Sequence, residues 1–239
     1  MQAAPHAAVP AREAPYTDGQ LELLKWVALA SMFVDHIGRH LLGAGYSTWE
    51  FGLGRIAFPL FVLVIGLNLA RPGDRAARAA RTTQRLAFWC VVSLVPSVMA
   101  RGEPQMINVL GTLGLGAALC WAIESRATIP LRVLACLAVA VASNHVEFGL
   151  AGVFLVAAIY LWQAHDEPGA ALVAVLLFLA TAWLNRTFGG VYGLLGTLAC
   201  VPIALLARQV PARVPRLKLA FYLIYPLHLA LIGVAKRMP

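Results

Sequence analysis

One apolar segment, residues 21–42 (LELLKWVALASMFVDHIGRHLL), constrains the fold more than any other part of the chain. It is long enough to cross a bilayer, since a spanning helix needs about 20 apolar residues. Ionisable groups at membrane depth are costly, and they normally face a protein or water-filled interior. The segment nevertheless carries Lys25, Asp35, His36, Arg39 and His40. It therefore predicts a transmembrane helix with a functional face.

Two of these side chains, Lys25 and His36, lie eleven residues apart. Eleven helical steps of about 100° return almost to the starting direction, so the two share one helix face. Their separation along the axis is about 16 Å at about 1.5 Å per residue. A histidine can take and return a proton near neutral pH, and a carboxylate can fix its tautomer. His36 and Asp35 are therefore candidate catalytic residues, with a polar packing cluster as the plainer alternative.

The composition indicates an integral membrane protein. Of the 239 residues, 60% are hydrophobic and only 13% are charged, whereas soluble domains average about 25% charged residues. The net charge of +8 is explained by arginines in cytoplasmic loops, and aromatic residues are too sparse among them for a nucleic-acid surface. The four cysteines stand singly in apolar runs. They predict inert helix packing and no metal site.

Apolar runs separated by polar or Gly/Pro breaks predict an all-α, polytopic transmembrane bundle. Residues 1–20 are polar, lack the apolar core of a signal peptide and are predicted to form a disordered cytoplasmic tail. Residues 21–239 are predicted to form a single domain. No internal repeat is evident, which argues against the inverted halves of many transporters. The nine predicted spans lie near residues 21–42, 53–70, 84–100, 107–124, 130–143, 148–163, 169–184, 190–207 and 218–235.

The distribution of basic residues predicts the orientation. Cytoplasmic loops accumulate Lys and Arg, so the two most basic loops place the amino terminus in the cytoplasm. The loop at residues 43–51 should lie on the opposite side, although Lys236 and Arg237 near the carboxyl terminus count against nine spans. The two basic loops carry Arg71, Arg75, Arg78, Arg81 and Arg85, and Arg208, Arg213, Arg216 and Lys218.

With this topology, the remaining unusual polar residues converge on the outer half of the bundle. Tyr225 and His228 share a helix face at i, i+3, which suits substrate binding or support of a neighbouring group. His145 and Glu147 lie in a short outer turn, where polar residues are common for structural reasons alone. The full set comprises Arg55, Asn108, His145, Glu147, Tyr225 and His228.

Five blocks resemble the TraX/TrbP conjugal-transfer family, and Lys25-x10-His36 matches the basic-x10-His signature of the related membrane acyltransferase-3 superfamily. Glu147 stands where an aspartate is expected in relatives. The resemblance spans nearly the whole length. Its blocks are LKWVALASMFVDHIG (24–38), GRIAFPLFVLVIGLN (54–68), NVLGTLGLG (108–116), EFGLAGV (147–153) and YLIYPLHLALI (222–232).

The resemblance implies a multi-pass enzyme of the bacterial inner membrane that acetylates the amino terminus of a pilin subunit with acetyl-CoA. On this hypothesis His36 removes a proton from the attacking amine, and Arg55 or Asn108 stabilises the carbonyl oxygen as it gains charge. Glu147 could orient His36 across the bundle. A covalent acetyl-histidine intermediate is possible but less favoured.

The coenzyme phosphates are expected to bind Lys25, Arg71 and Arg75, because guanidinium groups suit phosphate oxygens. The plainer interpretation of the arginines is that they set the topology and contact anionic lipid headgroups. Two other functions stay open: O-acylation of a glycan or lipid headgroup, and a proton-coupled carrier that uses Asp35, His36 and His228 as a relay.

Overall fold

The computed structural model describes residues 14–102, 106–217 and 219–238, and the structural statements below refer to these residues. Most of the predicted tail and Lys218 lie outside them. The described residues form ten α-helices and one short 3-10 turn, which confirms the predicted all-α class. The helices are α1 (Asp18–His40), α2 (Trp49–Gly54), α3 (Ala57–Ala70), α4 (Arg75–Val92), α5 (Leu94–Arg101), α6 (Val109–Glu124), α7 (Ile129–Ala142), α8 (Gly149–His165), α9 (Pro168–Gln209) and α10 (Ala220–Ala235).

A capping box fixes the start of α1. The backbone amide of Gln20 donates to the Thr17 hydroxyl over 3.3 Å, and the Thr17 amide donates to the Gln20 side chain over 2.9 Å. The two bonds satisfy amides that have no partner within the helix. The helix therefore begins three residues before the predicted span, and Asp18 lies in its first turn.

Two of the predicted spans are broken helices. The second consists of α2 and α3, and Arg55 lies in the break between them. Pro59 is the third residue of α3, where a backbone amide would have no intrahelical partner. The third predicted span consists of α4 and α5, whose axes meet at a bend of 44°. The first break matters for function because it places Arg55 inside the bundle.

Helix α9 is a hairpin of two arms, residues 168–189 and 191–209. They meet at Gly190, whose φ of 56° and ψ of −143° are open almost only to glycine. The Asn185 amide donates to the Thr197 hydroxyl over 2.8 Å. In a straight helix these residues would be about 18 Å apart. The two arms therefore fold back on each other and correspond to the seventh and eighth predicted spans.

The number of spans stays a prediction. By length and composition, two described segments could cross a membrane alone, Trp49–Ala70 and Pro168–Gln209, or three if α4 and α5 form one bent span. Helices α6, α8 and α10 are apolar but shorter, and the side of the amino terminus is likewise a prediction. The apolar helices fit a membrane protein.

Candidate active site

Two histidines from the first and last helices meet inside the bundle. Nδ1 of His36 lies 2.7 Å from Nε2 of His228. Nδ1 of His228 lies 3.0 Å from the carbonyl oxygen of Ile224, which can only accept a hydrogen bond. In neutral His228 the proton is therefore on Nδ1, and Nε2 is the acceptor. His36 must then donate from Nδ1, which leaves the lone pair of its Nε2 free.

Asp35 pairs with Arg55 rather than with the adjacent His36. Nη2 of Arg55 donates to Oδ2 of Asp35 over 2.7 Å, and Nη1 of Arg39 lies 3.8 Å from the same oxygen. The Arg55 guanidinium also lies 4.1 Å from the centre of the Phe51 ring. Asp35 is only 2% exposed. The break before α3 thus holds a buried guanidinium beside the helix that carries His36.

These groups line a cavity of about 320 Å³, which we call the chamber. Five predicted site residues line it: Asp35, His36, Arg55, Glu147 and Tyr225. His228 lies behind His36 and contacts it from the adjoining helix. The structure therefore brings together residues from four distant parts of the sequence.

Glu147 reaches the chamber because two chain segments pair there. Ile107 donates to the His145 carbonyl over 3.0 Å, and the Glu147 amide donates to the Ile107 carbonyl over 3.1 Å. The Glu147 carboxylate accepts a hydrogen bond from Nη2 of Arg101. Its described partner is thus Arg101, and no described hydrogen bond joins it to His36.

Two other predicted residues lie away from the chamber. Asn108 is 0% exposed, and its side chain donates to the Cys90 carbonyl and accepts from the Leu110 amide, each over 3.1 Å. Asn108 is therefore the N-cap of α6. His145 is exposed in the 3-10 turn after α7. Neither side chain is in a position to contact a group held in the chamber.

The sequence assigns no role to several residues that line the chamber, although Arg39 and His40 are among the ionisable groups of the first predicted span. The Arg39 guanidinium packs 4.6 Å from the Tyr46 ring, and the His40 ring lies 5.8 Å from that of His36. The sequence does contain a feature that could identify Arg101. It directly follows an apolar run, just as Arg55 directly precedes one. These additional lining residues include Arg39, His40, Tyr46, Arg101 and Asn185.

A second cavity, of about 520 Å³, lies at the other end of α1. Lys25 and Arg71, two of the three residues expected to bind the coenzyme phosphates, line it. Arg75 does not, because it projects from α4 elsewhere. We call this space the basic cavity. Its six cationic residues are Lys25, Arg71, Arg78, Arg81, Arg85 and Arg216.

Acidic residues of α1 neutralise part of this charge. Nζ of Lys25 lies 2.5 Å from the buried Glu22 carboxylate, and Nε of Arg216 lies 3.7 Å from it. Arg71 donates to Asp18, and this hydrogen bond holds the pKa of the Asp18 carboxyl below its ordinary value. The two carboxylates position the cations but also reduce their attraction for an anion.

The arginines of α4 differ in their roles. The Arg78 guanidinium donates to the carbonyls of Leu69 over 3.1 Å and Pro72 over 2.7 Å, so it caps the end of α3. Arg81 and Arg85 are exposed and follow at helical spacing on the same side. They are the cations of this cavity with the most freedom to bind an anion.

The chamber and the basic cavity share four lining residues, Met32, Phe61, Val109 and Tyr225. We call these four residues the neck. The two cavities therefore share a wall at the neck, with Lys25 lining one of them and His36 lining the other.

The TraX protein family model matches residues 20–236 of this chain. Protein TraX of Escherichia coli is 30% identical over 224 residues, which cover 92% of this chain and 88% of the relative. Protein TraX of Escherichia coli strain K12 is 29% identical over 231 residues, with the same coverage of both chains. No solved structure matches. The chain therefore belongs to the TraX family.

Proposed function

We propose that the protein is an acetyltransferase of the bacterial inner membrane that acetylates the amino terminus of a pilin subunit with acetyl-CoA, in the context of conjugation. The observation that carries the proposal is that a cationic cavity and a chamber with a histidine adjoin at the neck. Few ligands suit both ends. Acetyl-CoA does, because it carries phosphates at one end and a reactive thioester at the other.

The basic cavity binds the phosphates of the donor. Arg81 and Arg85 supply the guanidinium groups, since Arg78 is engaged as a helix cap and both Lys25 and Arg216 lie beside the Glu22 carboxylate. This pair replaces the expected set of Lys25, Arg71 and Arg75. The donor then extends through the neck along α1, where the rise from Lys25 to His36 is about 16 Å.

His36 acts as the general base. Its Nε2 has a free lone pair because its Nδ1 proton is donated to His228. His228 is a positioning residue: its own Nδ1 proton is fixed by the Ile224 carbonyl, so it can offer only an acceptor to His36. Nε2 of His36 takes a proton from the acceptor amine as the nitrogen attacks the thioester carbon.

Arg55 stabilises the negative charge that develops on the thioester oxygen. The buried Asp35 carboxylate holds the guanidinium in place, since it accepts from Nη2 over 2.7 Å. When the carbon–sulfur bond breaks, the imidazolium of His36 returns its proton to the departing sulfur. The products are an N-acetyl group and free coenzyme A thiol, and His36 is again neutral.

Mass analysis of the pilin amino terminus, with and without this protein in the cell, tests the proposal. We expect one added acetyl group only when the protein is present, and its loss in a His36→Ala variant. His145→Ala is the matched control, because His145 is exposed and away from the chamber. An unmodified pilin together with acetylation of a glycan or lipid hydroxyl would instead support O-acylation. Absence of coenzyme binding together with solute transport would favour the carrier.

A further inference from the structure

One wall of the chamber reaches the outer surface of the bundle. Leu184, Asn185 and Phe188, all on the first arm of α9, line the chamber. Asn185 is buried, whereas Leu184 is 45% exposed and Phe188 is 66% exposed. A side chain that lines a cavity and is also exposed outside marks an opening of that cavity. The chamber therefore opens along the first arm of α9.

The first arm of α9 carries many exposed apolar side chains, as a helix in contact with lipid does. Leu172, Leu176, Leu179 and Trp183 are 61%, 56%, 48% and 58% exposed. The Arg186 guanidinium lies 4.7 Å from the exposed Trp183 ring. Exposed Trp, together with a basic side chain, is typical of the boundary between lipid and water. We therefore expect the opening to lie at the level where the apolar and headgroup layers of the membrane meet.

The α9 side of the opening is apolar, since Leu184 and Phe188 are its exposed lining residues there. We call Leu184 and Phe188 the portal. A strongly hydrated acceptor such as a sugar would lose water here without gaining hydrogen bonds in return. An apolar polypeptide segment has no comparable loss of hydrogen bonds to water when it enters.

We infer that the portal admits the acceptor sideways from the bilayer, and that the acceptor is a polypeptide with an apolar segment in the membrane. Its amino-terminal residues pass Leu184 and Phe188, which brings the amine into the chamber beside His36. The chemical role of that amine rests on the proposed function. The docking itself rests only on the portal and its position.

Site-specific cross-linking tests the inference without requiring catalysis. The full chain, with p-benzoylphenylalanine replacing Phe188, is placed in phospholipid vesicles with a synthetic peptide that has a free amino terminus and an apolar helix of about 20 residues. The matched control replaces Leu195, which is exposed on the second arm and does not line the chamber. We expect about tenfold more adduct at position 188 than at 195, which corresponds to a modest binding preference.

A second variant pair gives an independent readout. Phe188→Ser should raise the KM for the anchored peptide about tenfold through lost apolar contact, while kcat and the KM for acetyl-CoA stay unchanged. Leu195→Ser should change none of the three. The same peptide without its apolar segment should be a poor acceptor for every variant.

Equal adduct at positions 188 and 195, or acetylation of an amine-bearing lipid in place of the peptide, would overturn the inference. Adduct at position 188 without any acetyl transfer would leave the portal intact and contradict the proposed function. Acetyl transfer to the anchored peptide, with no adduct at position 188 and no effect of Phe188→Ser, would support the proposed function and contradict the portal.

Discussion

Nδ1 of His36 lies 2.7 Å from Nε2 of His228, although the two residues are 192 positions apart in the chain. The contact determines which nitrogen of His36 carries a proton, because the Ile224 carbonyl fixes the tautomer of His228. The last helix therefore determines which nitrogen of a histidine on the first helix carries a lone pair. A sequence motif centred on His36 alone contains only half of this arrangement.

The tautomer assignment makes a specific prediction for His228. Replacing it with Phe removes the acceptor for the His36 Nδ1 proton, so kcat should fall substantially, while His36→Ala should cost the full contribution of a general base, about 10²–10⁴-fold. His228→Gln should retain more activity than His228→Phe, since its amide oxygen can accept the same proton. The KM for acetyl-CoA should be unchanged in both variants. Equal rates for the Gln and Phe variants would contradict the positioning role.

The buried Asp35–Arg55 pair predicts that substitutions can restore the stability of the protein without restoring its activity. Asp35→Asn leaves the Arg55 charge without its partner, which should cost about 3–5 kcal/mol of stability. The double variant Asp35→Asn, Arg55→Met should recover much of that loss but remain inactive. Thermal unfolding in detergent, measured beside acetyl transfer, tests both statements. A stable and fully active Asp35→Asn variant would show that Arg55 does not need the carboxylate.

The neck predicts that donor binding and acetyl transfer can be uncoupled. Phe61→Trp should close the neck to the thioester arm of the donor, so acetyl transfer is lost. 3′-phospho-ADP, which carries the phosphates without that arm, should still bind. Leu63→Trp is the control, because Leu63 lies on the same helix and lines neither cavity. Isothermal titration and transfer assays on the same preparations provide the two readouts. Wild-type transfer by Phe61→Trp would argue against passage through the neck.

The arginines of α4 should differ in their effect on donor affinity. Arg81→Gln or Arg85→Gln removes a guanidinium with freedom to bind phosphate, so the Kd for acetyl-CoA should rise about tenfold or more. Arg75→Gln should have little effect, since Arg75 does not line the basic cavity. The difference should shrink at high salt, which screens exposed charges. The same Kd for all three variants would contradict the assignment.

Much of the architecture could be predicted because hydropathy acts locally along the chain. The apolar runs correspond to helices, and the helical repeat placed Lys25 and His36 along one line. Long-range partners could not be predicted in this way. The pairing of Glu147 with Arg101 depends on how the ends of separate helices meet, which no local pattern encodes.

Local backbone chemistry also changed individual assignments. Asn108 was a candidate for the site by its depth, but the first amides of α6 need a cap, and its side chain supplies it. Arg71 and Arg75 are close in sequence, but Arg71 follows the end of α3 and Arg75 begins α4, so the turn between the two helices separates their side chains. Glu22 went unnoticed because its importance comes from its buried contact with Lys25.

The central claim is that the acetyl group crosses the neck from the side of the basic cavity to His36. Its most direct test uses vesicles with uniformly oriented protein, labelled acetyl-CoA outside at the basic-cavity face and an anchored acceptor whose amine faces the lumen. We predict that label appears on the acceptor with wild-type protein and not with His36→Ala or Phe61→Trp. Label that appears equally with all three proteins, or only when acetyl-CoA is supplied inside the lumen, would contradict the account.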